Sequence, residues 1–264
     1  MRAWILAVLL AAAVPATGIS SGAMSFDGVD DEITIPDDSS LSFTDGSDND
    51  KPFTMSAWIY PEGNRFYIMG KDNDAANSEY RFSTSTGSTT LLGVLYDNSA
   101  SPTKYIGRSG GTITTGQWQH VVLTYSGSET SSGIKIYKDG VQVDTGNLES
   151  LPYAGMENLG DSLKIGKWET SNANGSIDEV LIYNKALTAP DIQAMFASGG
   201  AWYPTDCLVS RWSFDLLGYS SDQVVPNGAT IPDTVGSNDG TTADGADDSM
   251  TIQSSPVREK RGRR

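Results

Sequence analysis

The sequence has almost none of the residues on which thiol and soft-metal chemistry depends: one cysteine, Cys207, and one histidine, His120, among 264 residues. One of each cannot build a Cys/His zinc cluster. A single thiol cannot close an internal disulfide, so extracellular stability has to come from packing or from ions. Cys207 is left to pair with another chain or simply to be buried. Basic residues are scarce too, with 18 Lys and Arg against 33 Asp and Glu, a formal charge of −15. That balance argues against binding nucleic-acid phosphates and is compatible with divalent cations or a salty medium. Beyond the first residues no apolar run has membrane length, so no membrane span is expected. Neither a G-x-x-x-x-G-K-[ST] phosphate loop nor a contiguous EF-hand loop occurs. The alternation of strands and helices that a Rossmann or TIM-barrel fold requires is missing as well.

What is present begins with MRAWILAVLLAAAVPATG. Arg2 gives a positive start, Trp4 to Val14 is apolar, and Val14-Pro15-Ala16 offers small residues for processing. Residues 1–16 are expected to be a signal peptide cleaved after Ala16, which places the mature chain outside the cell or on its surface. The opposite end, SSPVREKRGRR, carries Arg258, Lys260, Arg261, Arg263 and Arg264 against one glutamate. Residues 243–264 read as a solvated, disordered tail with a basic end. Self-association with an acidic body, or a processing signal, are other uses for it.

Between the ends the pattern is short strands and polar turns. In KPFTMSAWIYP, Phe53, Met55, Ala57 and Ile59 face one way and Thr54, Ser56, Trp58 and Tyr60 the other. Large residues on both faces predict a central strand with both sides covered. RFYIMGK, EYRFSTS, LLGVLYDNS, GQWQHVVLTYSG, SLKIGKW and GSIDEVLIY add further strands. GIKIYKDGVQVD is a hairpin whose Asp139-Gly140 turn tolerates positive φ. One helix follows late, capped by Thr188, with Pro190 and Asp191 in its first turn and Gly199-Gly200 beyond its end. Ile192, Met195 and Phe196 form its apolar face. Many short strands and one short helix imply an all-β fold of two antiparallel sheets.

AMSFDGVDDEITIP at 23–36, PFTMSAWIYP at 52–61, GQWQHVVLTY at 116–125, IKIYKDGVQVD at 134–144 and GSIDEVLIYNKALTAPDI at 175–192 together resemble the laminin G-like, concanavalin A-like jelly-roll domains of bacterial and phage proteins. The resemblance covers about residues 23–200. It implies an antiparallel two-sheet jelly-roll sandwich. It also implies a secreted module that binds glycans or proteins, often with calcium, and is often appended to enzymes or adhesins. One departure stands out: such domains open on a W-x-F-D type of segment, which here appears late, in LVSRWSFDLLGYSSDQVVPNGATIPDTVGSNDGTT at 208–242. That segment is either the start of a truncated second repeat or a displaced set of strands for this sandwich or a neighbouring copy. Arg211, Ser213 and Asp215 alternate with Trp212 and Phe214, as in a strand. Pairing of 208–216 within the 23–200 sandwich is the favoured reading.

Three groups of candidate site residues follow. Asp178 and Glu179 sit in an apolar strand, where strict alternation puts Ile177, Glu179 and Leu181 on one face and Asp178, Val180 and Ile182 on the other. A buried carboxylate needs a partner. Either Asp178 joins Gly28, Asp30 and Asp31 of the 26–32 loop around a structural calcium ion, which the resemblance favours, or it takes hydrogen bonds from that turn without an ion. Sugar binding needs aromatic faces beside polar loops. Tyr67, Tyr96, Tyr105 and Trp168 lie beside turns, and polar residues crowd the loop after Trp168. Catalysis finds little support: adjacent carboxylates that point apart make a poor acid/base pair, and His120 has no Ser or Cys nucleophile beside it in sequence. The expected function is a secreted, non-catalytic recognition module for a glycan or a surface protein. The alternative is a self-assembling structural subunit of an envelope, filament or virion.

Overall fold

A computed structural model describes residues 21–45, 49–72, 77–168, 171–215, 222–243 and 250–255. The expected signal peptide and the basic end at 258–264 lie outside the described residues. In chain order the strands are β1 (Ser21–Asp27), β2 (Glu32–Ile35), β3 (Phe53–Pro61), β4 (Tyr67–Lys71), β5 (Tyr80–Thr84), β6 (Thr90–Asp97), β7 (Lys104–Thr112), β8 (Gln119–Tyr125), β9 (Ile134–Lys138), β10 (Val141–Gln142), β11 (Asp144–Ser150), β12 (Leu163–Ile165), β13 (Lys167–Trp168), β14 (Ser171–Asn172) and β15 (Asn174–Tyr183). The helix α1 (Ala189–Ala197) and strands β16 (Leu208–Trp212), β17 (Thr230–Ile231), β18 (Gly240–Ala243) and β19 (Thr251–Ser255) complete the order.

Two antiparallel sheets enclose the core. The first runs β10-β9-β8-β3-β15-β1-β19, with β16 also on β15. The second runs β11-β7-β6-β5-β4-β12-β2-β18-β17, and β13-β14 form a separate hairpin. Period-two alternation on the inner faces fills the space between them. Phe53, Met55, Ala57 and Ile59 of β3 meet Tyr80 and Phe82 of β5 and Leu91 and Leu95 of β6 in one core. Asp139 and Gly140 both take positive φ, as the tight β9–β10 turn demands.

The first sheet has a second, smaller core on its outer face. Val122, Tyr137, Leu181 and Tyr183 are covered there by Leu187 and by Ile192 and Met195 of α1. The helix is fixed by a full capping box between Thr188 and Asp191, with Pro190 in its first turn. This cover explains why β3 carries bulky residues on both faces.

The C-terminal segment belongs to the same sandwich. β16 pairs with the Val180–Tyr183 half of β15, while β1 pairs with its Asn174–Ile177 half. β18 pairs with β2, and β19 pairs with β1. Residues 208–242 therefore add strands to both sheets of their own chain. Residues 251–255, read above as part of a disordered tail beginning at 243, instead form β19. The sequence hid this strand because TIQSS is short and polar. The sandwich accordingly reaches from Ser21 to Ser255 rather than from 23 to 200. Cys207 is exposed, not buried.

Strict alternation fails in the middle of β15. Asp178 opposes Trp58 and Leu181 opposes Ser56, so Glu179 and Val180 together face the single residue Ala57. This is a β-bulge, and Glu179 sits there at φ +47°. The extra residue shifts the phase. Ile177, Val180 and Ile182 all reach the central core, while Leu181 and Tyr183 reach the second one. Asp178 shares the outer face with its cross-strand partner Trp58, and Glu179 follows it there, beside Trp58, His120 and Leu181.

Candidate functional site

The outer face of the second sheet gathers all four aromatic residues singled out from the sequence. Tyr80 and Phe82 point into the core, which turns Arg81 and Ser83 of β5 outward; the same alternation turns Tyr96 of β6 outward. Tyr105 of β7 lies directly across from Tyr96, with ring centroids 6.5 Å apart in an edge-on arrangement. Tyr67 opposes Ser83 across the β4–β5 pair. Trp168, at the end of β13, lies flat over Arg81, whose guanidinium carbon is 4.0 Å from the ring centroid and 5.8 Å from that of Tyr96. Arg65, Phe66, Tyr67, Arg81, Ser83 and Trp168 line a narrow cleft with a cavity volume of about 20 Å³.

Arg81 is held in place by Asp72, with Nη1 3.0 Å from Oδ2. Burial pushes the Asp72 carboxyl above its ordinary range, and the Arg81 charge and the Ser78 hydroxyl pull it back. Burial and the Asp72 charge also push the Tyr67 and Tyr96 phenols up, so both stay protonated donors. Three buried donor atoms here have no hydrogen-bond partner: Tyr67 Oη, Arg81 Nε and Trp168 Nε1. The Trp168 indole N–H approaches Asp72 without reaching hydrogen-bond geometry. Leaving a buried donor unpaired costs about 1–3 kcal/mol, so three around one cleft mark a place where an oxygen-rich ligand or ordered water completes the bonding.

The acidic loop between β1 and β2 lies next to this cleft. Carboxylate oxygens of Asp27, Asp30 and Asp31 all lie within 4.8 Å of one another. The turn is tight: the Val29 amide donates to Asp27 Oδ1 at 2.7 Å, and the Asp27 amide to Asp31 Oδ2 at 2.7 Å. Gly28 has φ +83°, and a Cβ there would lie 2.8 Å from the Asn174 side chain, so a side chain is excluded. Asp30 Oδ1 is buried without a partner. Three convergent carboxylates plus an orphaned oxygen fit a hard cation with oxygen ligands. Lys167 Nζ reaches the Asp30 carbonyl at 3.2 Å, and Asn172 Nδ2 reaches the Val29 carbonyl, so the hairpin that presents Trp168 rests on this loop.

Asp178 does not join that loop. Asp27 pairs with Asn174, and Asp178 lies four residues further along β15, on the order of 13 Å away. It faces the C-terminal segment instead, near Asp215 and Ser255. Its Oδ1 accepts from the Glu179 amide at 2.7 Å, and its Oδ2 has no partner. Burial first, and then the Glu179 charge, push the Asp178 carboxyl well up. Glu179 forms a buried two-point pair with Arg211 of β16, at 2.7 and 2.9 Å, and Arg211 also stacks on Tyr203. The metal reading thus loses Asp178 and gains Asp27. The bulge and the distant Arg211, neither visible in a local pattern, are the reasons.

His120 bonds through Nε2 to Ser56 Oγ at 2.9 Å. Both side chains are buried, under Trp58 and Phe196 of α1, and burial lowers the imidazole to about 3. A Ser–His pair so enclosed is packing, not a nucleophile open to substrate. Arg81, Asp72, Arg65 and Asp27 join these sites without a local sequence signal that singles them out. Arg81 shares the outward register of EYRFSTS with Glu79, so alternation alone does not mark it.

A family model of laminin G type, of the concanavalin A-like lectin/glucanases superfamily, matches residues 27–193. Among solved structures, a protein of Bacteroides ovatus provisionally described as carbohydrate-binding superposes with a TM-score of 0.59 at 18% identity; the match covers 89% of this chain and 60% of that one. The heptameric SAP-like pentraxin of Limulus polyphemus superposes with a TM-score of 0.50 at 19% identity, covering 91% of this chain and 98% of the other. The chain thus spans 60% of the length of the Bacteroides protein. No curated protein sequence matches it. The matched region takes in both halves of the sandwich and the strands that build the aromatic cleft, and the chain belongs to the concanavalin A-like lectin/glucanases superfamily.

Proposed function

We propose that the chain is a secreted, non-catalytic glycan-binding module whose site is the cleft around Arg81 and Trp168. The observation that carries this reading is the set of unpaired donors on Tyr67, Arg81 and Trp168 around an aromatic floor. Sugar hydroxyls supply acceptors for such donors, and their C–H faces lie on aromatic rings. The carbohydrate-binding description of the Bacteroides protein points the same way. Calcium held by Asp27, Asp30 and Asp31 would brace the Trp168 hairpin through Lys167 and Asn172. The signal-peptide pattern supports export, and no described helix is long and apolar enough to cross a membrane. Assembly through residues 208–242 is less favoured, because β16 and β18 are already paired within the chain.

The test is a glycan microarray probed with the wild-type protein and with Trp168→Ala. Binding to a defined set of glycans that drops at least tenfold in the variant, about 1.4 kcal/mol, supports the cleft. Equal binding by both proteins removes it.

A further inference from the structure

The first sheet carries a second groove, on the opposite side of the sandwich from Trp168. Register places Thr251 of β19, Ser25 of β1, Ser176 of β15 and Tyr60 of β3 side by side across four strands. Trp118, just before β8, continues the row, since Ile59 pairs with Gln119. Tyr60 belongs to the outward set of β3, so the row lies on the outer face. The helix and the second core cover that face around Leu181 and Tyr183; the row lies toward the other end of β15. Ser25, Tyr60, Glu62, Trp118, Ser176 and Gln253 line an open, polar-walled groove of about 430 Å³ there.

The groove is built rather than incidental. The Tyr60 and Trp118 rings lie 5.7 Å apart at 52° to each other, forming an angled aromatic floor. The loop that presents Trp118 is pinned by the Gly116 amide to the Pro61 carbonyl at 2.8 Å. The Gln119 carboxamide adds bonds to the Thr114 amide and carbonyl at 2.8 and 2.7 Å. Glu62 is fixed by its amide on the Asn174 carbonyl at 2.8 Å. A floor held this rigidly loses little freedom when a ligand settles on it. Two hydroxyls, a carboxamide and a carboxylate on the walls offer both donors and acceptors. No lining residue is cationic and one is acidic, on a chain of net charge −15.

We infer that this groove is a second carbohydrate site, which takes a neutral polysaccharide chain across the β19-β1-β15-β3 face independently of the Arg81 cleft. Two sites on opposite sheets would let one molecule hold two chains.

Affinity electrophoresis of the full chain through gels containing arabinan, xylan, mixed-linkage β-glucan or, as an acidic comparison, polygalacturonate tests the inference. The variants are Trp118→Ala, Gln253→Trp, which fills the groove from the edge strand, and Trp168→Ala. Circular dichroism confirms folding, and if Trp118→Ala is misfolded, Gln253→Trp decides. The expected result is retardation by at least one neutral polysaccharide that weakens about tenfold in Trp118→Ala and in Gln253→Trp and persists in Trp168→Ala. Groove variants that migrate like wild type overturn the second site. So does a chain that no neutral polysaccharide retards, or one retarded only by polygalacturonate. Retardation that Trp168→Ala abolishes and the groove variants leave untouched assigns the polysaccharide to the Arg81 cleft and overturns the second site, whereas the cleft itself stands or falls on the glycan array.

Discussion

Asp178 shows how one residue's surroundings decide its chemistry. Its carboxyl is fully buried beside Glu179 and Asp215, one oxygen lacks a partner, and burial favours the neutral form. A carboxyl raised in the fold contributes stability that is present below its unfolded value of 3.8 and is lost as pH climbs toward the folded value. Asp178→Asn keeps the shape without the charge. The variant and the wild type are expected to melt alike near pH 4. At pH 7 the variant should be more stable by about 1–3 kcal/mol, the cost of an uncompensated buried polar group. Melting temperatures across that range check this, and a variant less stable at pH 7 contradicts it. At the same scale, Tyr67, Tyr96, Tyr105 and Trp168 stand out in the sequence as large residues beside turns, and the fold brings them to one sheet face. Arg81, around which they gather, was not singled out, since one arginine in a strand has no local mark of its partners.

Among the elements, β16 is the most dependent on distant residues. Its Arg211 is almost fully buried and meets Glu179 from β15 in a two-point pair. Removing one member of a buried pair strands the other charge, at a cost of about 3–5 kcal/mol. Arg211→Ala should therefore lower stability by that amount in denaturant titration. Replacing both members, Arg211→Met with Glu179→Met, should recover most of the loss. A single variant as stable as wild type would show that the pair does not hold the strand. The bulge at Glu179 makes this contact possible by turning its carboxylate off the core face. Period-two alternation assigned Glu179 and Asp178 to opposite faces because it contains no term for an inserted residue. By contrast the β9–β10 hairpin and α1 appear where the sequence put them, since Asp139-Gly140 and the Thr188–Asp191 box are local signals.

At the scale of the whole molecule, the sandwich is closed by its own C-terminus. Truncation after Cys207 would strip β16 from β15, β18 from β2 and β19 from β1. The exposed strand edges are ready templates for other chains. The truncated protein is expected to aggregate or fail to fold, as size-exclusion chromatography would show. A monomeric, cooperatively melting product would contradict the closure. Calcium is a second global lever. If the native loop binds it, saturation at a hundredfold over Kd adds about 2.7 kcal/mol. The melting temperature should rise with calcium and fall with chelator, and Asp30→Ala should abolish the difference while Asp178→Asn leaves it. A response lost in Asp178→Asn instead would move the ion to the C-terminal interface.

The sequence by itself determined the architecture and most of the strands and the helix between 23 and 200. Alternating apolar residues, a positive-φ turn pair and a capped helix are short-range codes, and they add up to two antiparallel sheets with one late helix. The tertiary structure alone decided which acidic residues converge, that Asp178 faces Asp215 rather than Asp30, and that TIQSS is a strand. Each depends on residues far apart in the chain being brought together, as when β19 meets β1 across the whole length of the domain. Register across a sheet, and the single bulge that shifts it, are properties of strand pairs, and no single strand's sequence contains them.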